Sequence, residues 1–259
     1  MEKEIMYNQN SILIVGVLFI FIILFYEAGF RIGRHYQRKS DKEIKLQANA
    51  IQAGVLGLLA LLLGFTFNMA LQRFDNRSQA EIYEANAIGT TVLRAELLPD
   101  PYDSISQVLL QEYIDLRINI STVDLTQVSE RKKLNLQTNE LQRRIWNVAI
   151  MAAEVDPRPV TTGYFITALN DMIDARGERN ATLMRHVPEV ILFLMFIVFI
   201  TTGAIMGYSA GLGMNRAYIP TVLMTFLIVL VVFIVIDLDR PKRGIIKVKQ
   251  NSILELKSD

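Results

Sequence analysis

Residues 53–71 read AGVLGLLALLLGFTFNMAL, an uncharged apolar run that ends at Gln72 and Arg73. About 20 apolar residues is the length that a helix needs to cross the hydrocarbon core of a bilayer. Further apolar runs of this kind lie at residues 11–26, 188–206 and 219–236. The sequence therefore predicts an all-α integral membrane protein with four transmembrane helices in two pairs.

The segment between the two pairs is charged and amphipathic. Its apolar residues recur at helical spacing, as they do at Val108, Leu109, Tyr113, Leu116 and Ile120. Proline lacks an amide donor and disfavours a helical residue before it, so the prolines in this segment mark helix ends. The proline breaks, together with a further break near Asp124-Leu125-Thr126, predict four helices, at about 74–98, 102–123, 127–155 and 160–187, the last of which runs to the third span.

The predicted organisation follows from these elements. Transmembrane helices 1 and 2 occupy residues 1–71, a helical extramembrane domain occupies 72–187, and transmembrane helices 3 and 4 occupy 188–236. The C-terminal tail, residues 237–259, is short and of mixed charge. We expect this tail to be partly disordered.

The orientation in the membrane depends on basic residues near the span ends. Four spans place both termini and the helical domain on one face. The summed basic residues on that face favour the cytoplasm, whereas the basic first connection, with Arg31 and Arg34, favours the reverse. We expect a multi-pass protein of the cell inner membrane with cytoplasmic termini and domain.

Composition excludes several functional classes. With a net charge of +1, the chain lacks the strongly positive potential of a nucleic-acid-binding protein, so no nucleic acid is expected as a partner. The chain has no cysteine, and His35 and His186 lie far apart, so no metal site and no cofactor are expected. No phosphate loop, Gly-x-Ser-x-Gly or HExxH motif is present. An enzyme is therefore the least favoured class.

The second span carries small residues on one face. At about 100° per residue, one stripe holds Ala53, Gly57, Ala60, Gly64 and Asn68, with Leu61 and Phe65 beside it. One interpretation is a seam for close helix packing, which the residues alone favour. The other is a pore face, in which hydrophobic side chains narrow a channel. The predicted pore-lining residues are Gly57, Leu61, Phe65 and Asn68.

Other positions also have two interpretations. Arg73 and Arg77 follow the second span, where they can attract anions at a pore mouth or act as interfacial anchors. Glu189 in the first turn of the third span is a helix-terminal residue or an ion site, and the first is favoured. The repeat Gly203-x-x-x-Gly207-x-x-x-Gly211 predicts close helix packing, and Gly89 predicts tight contact with another helix.

Two sets of residues resemble a known family. Leu63-Gly64-Phe65, followed after seven residues by Arg73-Phe74, resembles the second transmembrane segment of bestrophins, which reads Leu-Gly-Phe and, at the same distance, Arg-Trp-Trp. The wider pattern, from LLGFTFNMALQRFD through EANAIGTTVLRAELLP to DLDRPKRG at residues 237–244, resembles a bacterial membrane family labelled bestrophin-like.

Bestrophins are homopentameric anion channels with cytosolic termini and a cytosolic helical domain between spans two and three. The resemblance implies a bestrophin-like fold, a homo-oligomer with a pentamer favoured, and partners that are membrane lipid and inorganic anions such as chloride. It places Phe65, Leu61 and Gly57 on the positions of the pore neck, although Gly57 lacks the bulky side chain expected there. Asp75 stands where the second Trp of the motif would be.

The motif after the fourth span departs from that of animal bestrophins. Asp237-x-Asp239-Arg240-Pro241 is not followed by the acidic run of their calcium clasp, so calcium activation is not implied. The two aspartates are interpreted as interfacial salt-bridge partners.

The sequence leaves two functional hypotheses. The first is a homo-oligomeric, anion-preferring channel with a pore lined by the second span. The alternative is a non-conducting membrane scaffold or signalling protein, which the large helical domain and the small-residue stripes also fit.

Overall fold

A computed structural model of the chain describes residues 9–37, 42–123, 127–214, 216, 218–240, 244–248 and 250–257. No strand occurs in these residues, and the all-α class is confirmed. A π-helical turn at Pro159–Gly163 precedes the fifth helix. The helices are α1 (Ser11–Tyr36), α2 (Lys42–Ala95), α3 (Tyr102–Thr122), α4 (Val128–Val155), α5 (Tyr164–Leu183), α6 (Glu189–Gly213), α7 (Tyr218–Leu238) and α8 (Asn251–Glu255).

Four of these helices, α1, α2, α6 and α7, are long and apolar enough to cross a membrane. They match the four apolar runs predicted as spans, with Pro188 as the N-cap of α6, so that prediction is confirmed. All four extend beyond their runs, and α1 and α2 do so by the most. α1 continues to Tyr36, and α2 continues unbroken to Ala95 because no proline interrupts it.

The chain divides into two compact units. The first contains the residues up to Arg73, His186–Arg240 and Gly244–Ile246. The second contains Phe74–Arg185 and the end of the chain from Lys247 onward. The described part of the predicted tail is thus shared between the units rather than separate from both.

In the first unit, α1 packs against both α6 and α7. Its contact with α6 depends on glycine, because a Cβ on Gly203 would lie 2.9 Å from the carbonyl oxygen of Ile22. A Cβ on Gly207 or Gly211 would overlap a carbonyl group of α1. The predicted close packing of this repeat is confirmed.

The end of α7 is held by buried polar groups of the same unit. Both carboxylate oxygens of Asp239 accept the Val187 N–H, at 3.1 and 3.0 Å. The Arg240 guanidinium donates to Ser11 Oγ at 3.0 Å and to the Gln9 carbonyl. Asp237 and Asp239 are 2% and 7% exposed. Both carboxylates are buried and accept backbone N–H groups, and Asp239 also lies 3.9 Å from Nδ1 of His186, so the interpretation as interfacial salt-bridge partners stays a prediction.

The second unit has its own apolar core. Residues of α2, α3, α4 and α5 form it, and its fully buried members include Ile88, Leu110, Tyr113, Ile145, Phe165, Leu169 and Met172. The apolar stripe predicted on α3 is correct for Leu109, Tyr113 and Ile120, which are buried. It is wrong for Val108, which is 69% exposed. Val108 lies one position off the face that meets α4.

The tail also contributes to the second unit. Ile253 of α8 is fully buried, and its N–H donates to Glu81 at 3.2 Å. A Cβ on Gly89 would lie 3.3 Å from Leu256, so the tight contact predicted for Gly89 is confirmed. The prediction of disorder is wrong for residues 250–257, because Ile253 and Leu256 pack against α2 in the second unit.

α5 is shorter than the predicted helix at both ends. Its beginning is replaced by the π-helical turn, in which Gly163 N–H donates to the Arg158 carbonyl at 3.2 Å. It ends at Leu183, whereas the predicted helix runs to the third span. The Arg77 guanidinium donates to the carbonyl groups of Thr182 and Arg185 at this end.

Candidate functional site

The small-residue stripe of α2 is exposed within the chain. Leu61 is 54% exposed and Phe65 is 62% exposed. The same face is open at Ala53, Gly57, Ala60, Gly64 and Asn68. The predicted pore-lining residues therefore share one uncovered face of the apolar span.

The opposite face of this span is packed. Leu59 is 6% exposed, Thr66 is 3% exposed and Ala70 is fully buried. The Thr66 hydroxyl donates to the Leu62 carbonyl at 2.7 Å, which satisfies a polar group in an apolar segment from within its own helix. The span thus has one face that the chain covers and one that it does not.

Its glycines differ from those of α6. A Cβ placed on Gly54, Gly57 or Gly64 would meet no heavy atom within 4 Å, whereas Gly207 lies against backbone. In the part of the chain that the structure describes, the α2 stripe is not a packing seam. A seam here would need another copy of the chain or another molecule.

The two candidate pore-mouth arginines have different environments. Arg73 is half-buried in the first unit, and its Nε has no hydrogen-bond partner among the described residues. Arg77 is 2% exposed in the second unit. Its guanidinium donates to the carbonyls of Arg185 at 2.6 Å and Thr182 at 3.4 Å. Arg77 therefore caps the carboxyl end of α5, which neither interpretation of the sequence described.

A buried ionic network lies in the second unit. Glu84 of α2 is fully buried and accepts two hydrogen bonds from Arg117 of α3, at 2.6 and 3.0 Å. Arg179 of α5 donates to the same carboxylate. Burial by itself would raise the pKa of Glu84, but the two guanidinium groups outweigh it and hold the pKa below its ordinary value. One carboxylate thus joins three helices.

The network continues through neutral side chains. Gln142 of α4 donates to the Tyr113 hydroxyl at 3.4 Å and accepts from Arg176 of α5 at 2.5 Å. Arg176 also donates to Asn139 at 2.7 Å, and Arg179 also binds Gln250. Polar groups of α3, α4, α5 and the tail therefore meet around the core of this unit.

Sequence reasoning missed this network and assigned no role to Glu84. One signal was available, because Arg117 lies at i+4 from Tyr113 and three residues before Ile120, on the apolar face of α3. A charge on an apolar stripe indicates a buried partner.

Glu189 is the first residue of α6 and is half-buried. The described residues contain no group of three or more His, Asp or Glu side chains that could hold a metal ion.

Comparison with known proteins identifies a family. The model of the family described as bestrophin-like domain matches residues 15–253, which include most of both units. No curated protein and no solved structure matches the chain.

Proposed function

Because the chain belongs to the bestrophin-like domain family, we propose that it is a homo-oligomeric channel for inorganic anions such as chloride. One observation carries the proposal. The apolar span of α2 leaves a face of small residues, with Leu61 and Phe65, uncovered by its own chain. In an oligomer, and we favour a pentamer, this face surrounds the central axis.

The side chains on this face suit a hydrophobic gate. Leu61 and Phe65 from several copies form two apolar rings one turn apart, and such rings block ions by excluding water. Gly57 adds no side chain and leaves the pore wider one turn earlier. Asn68, one turn beyond Phe65, offers a polar ring to an ion that has passed the rings.

Arg73 supports a preference for anions. It follows the apolar span on the same helix and is half-buried, and its buried Nε has no hydrogen-bond partner among the described residues. A ring of cationic side chains at a pore mouth favours anions. We leave Arg77 out of the mouth because its guanidinium is buried and caps α5.

The proposed location is the cell inner membrane, with the termini and the helical domain in the cytoplasm. This orientation follows the summed basic residues near the span ends.

Halide flux from liposomes that contain the purified full-length protein tests the proposal, together with its oligomeric mass in detergent. We expect flux and a mass near five subunits. A well-folded oligomer that passes neither anions nor cations would reject the channel and favour the alternative of a non-conducting scaffold or signalling protein.

A further inference from the structure

The second unit buries more cationic than anionic groups around Tyr113. Arg117, Arg176 and Arg179 are 2%, 8% and 4% exposed, and the carboxylate between them is Glu84. Arg117 and Arg179 both bind Glu84. The next buried carboxylate, Glu81, accepts the N–H of Ile253 in the tail.

Arg176 lacks a carboxylate partner among the described residues. Its guanidinium donates to the side-chain oxygens of Asn139 and Gln142 and to the Asn135 carbonyl, all of which are neutral. A buried arginine normally faces an anion, because a cation removed from water is destabilised unless an opposite charge compensates it. Burial lowers the pKa of Arg176, and the Arg117 cation opposes its charge as well.

Three donors in this region have no acceptor in the described chain. Two are the buried Arg117 Nη1 and Arg176 Nε, neither of which has a hydrogen-bond partner. The third is the Tyr113 hydroxyl, which accepts from Gln142 at 3.4 Å and has its own proton left to donate. Burial raises the pKa of Tyr113 to about 12, so the phenol keeps that proton.

These donors belong to one neighbourhood. Gln142 binds Tyr113 through its amide nitrogen and Arg176 through its amide oxygen, so these two side chains flank the same amide. Arg117 lies one helical turn from Tyr113 on the same face of α3. Both arginines interact electrostatically with Tyr113.

We propose that a small monovalent anion of the chloride class binds inside the helical domain, between Arg117, Arg176 and Tyr113. An anion accepts hydrogen bonds without donating any, so it satisfies three donors and compensates the buried positive charge. A water molecule would bring two protons of its own to a position between three donors. Because all three side chains are buried, a small ion fits the position better than a phosphate or a sulfate.

This site is separate from the proposed pore, since none of its residues lies in the span of α2. Chloride bound there stabilises the contact of α3 with α4 and α5. The inference therefore stands whether or not the protein conducts ions.

Thermal unfolding of the full-length protein in detergent tests it, with chloride titrated against gluconate at constant ionic strength. We expect the melting temperature to rise with chloride and to saturate. Arg176→Gln removes one of the three donors together with its positive charge, and Tyr113→Phe removes one donor and no charge. For both variants we expect the midpoint of the rise to move to about tenfold higher chloride or beyond. Arg144→Gln is the matched control, because Arg144 is half-exposed and pairs with Glu112; its midpoint should not move.

A crystal grown with bromide in place of chloride provides the direct measurement. We expect an anomalous peak within hydrogen-bonding distance of Arg117 Nη1 and Arg176 Nε. A map with water at that position would overturn the proposal. So would the absence of a saturable chloride effect, a response to sulfate alone, or an unchanged midpoint in Tyr113→Phe. Because Tyr113→Phe keeps every charge, it tests the site even if Arg176→Gln does not fold.

Discussion

The carboxylate of Asp237 occupies the space that a side chain at Gly244 would need. A Cβ on Gly244 would lie 2.6 Å from Oδ1 of Asp237, closer than van der Waals contact permits. The same carboxylate accepts the N–H groups of Ile245 at 3.1 Å and Ile246 at 2.8 Å. Glycine at position 244 therefore lets the chain after α7 fold back onto a buried carboxylate.

Gly244→Ala should destabilise the first unit. The added Cβ displaces the Asp237 carboxylate from the two N–H groups, and a buried group left without its hydrogen bond costs about 1–3 kcal/mol. A lower melting temperature in detergent would show this loss. Gly213→Ala is the control, since a Cβ there would meet nothing within 4 Å. Equal melting temperatures for the two variants would contradict the relationship.

Gly207→Ala should disrupt the contact between α1 and α6. A Cβ at this position overlaps the Tyr26 carbonyl, and backbone cannot move aside as a flexible side chain does. We expect a loss of at least about 1–3 kcal/mol, or failure to yield folded protein. Gly16→Ala on α1 adds a methyl group to open space and should leave the melting temperature unchanged or higher.

Glu84→Gln should be severely destabilising. The variant leaves Arg117 and Arg179 buried without an anionic partner, and breaking a buried ion pair from one side costs about 3–5 kcal/mol. Chemical unfolding of the full-length protein measures this cost. Glu140→Gln, which breaks an exposed pair with Arg143, should cost at most about 1 kcal/mol. Similar costs for the two substitutions would argue against the buried network.

Glu84 also predicts how stability depends on pH. Its pKa is lower in the folded chain than its ordinary value of 4.5. Its contribution to stability is therefore present above that value and is lost as the pH falls through the lower, folded value. We expect the free energy of unfolding to decline in acid below pH 4.5, and to decline less steeply in Glu84→Gln. Parallel pH profiles for the two proteins would refute this assignment.

Leu61→Ala and Phe65→Ala should raise halide conductance or change ion selectivity. Each substitution removes one apolar ring of the proposed constriction and lowers the barrier to wetting it. Leu227→Ala and Phe226→Ala are matched controls, because these residues of α7 are 59% and 55% exposed, close to the exposure of Leu61 and Phe65. If single-channel currents respond equally to both pairs of substitutions, α2 does not line the pore.

Local properties of the sequence determined much of this protein. The length and apolarity of four segments determined the spans, and the glycine spacing of α6 determined a close packing face. The periodicity of α3 and the prolines placed the helices of the second unit to within a few residues. These features could be predicted because each depends on residues that lie within a few helical turns of one another.

Tertiary structure alone decided the roles of the buried charges and of the tail. Arg77 meets carbonyls that lie 105 and 108 residues away, and Glu84 meets Arg179 at a separation of 95 residues. It also decided that the small-residue stripe of α2 stays open while that of α6 is filled, although both stripes place small residues at helical spacing. Burial, hydrogen bonding and charge compensation depend on which distant segments meet, and a single sequence does not contain that information in its local pattern.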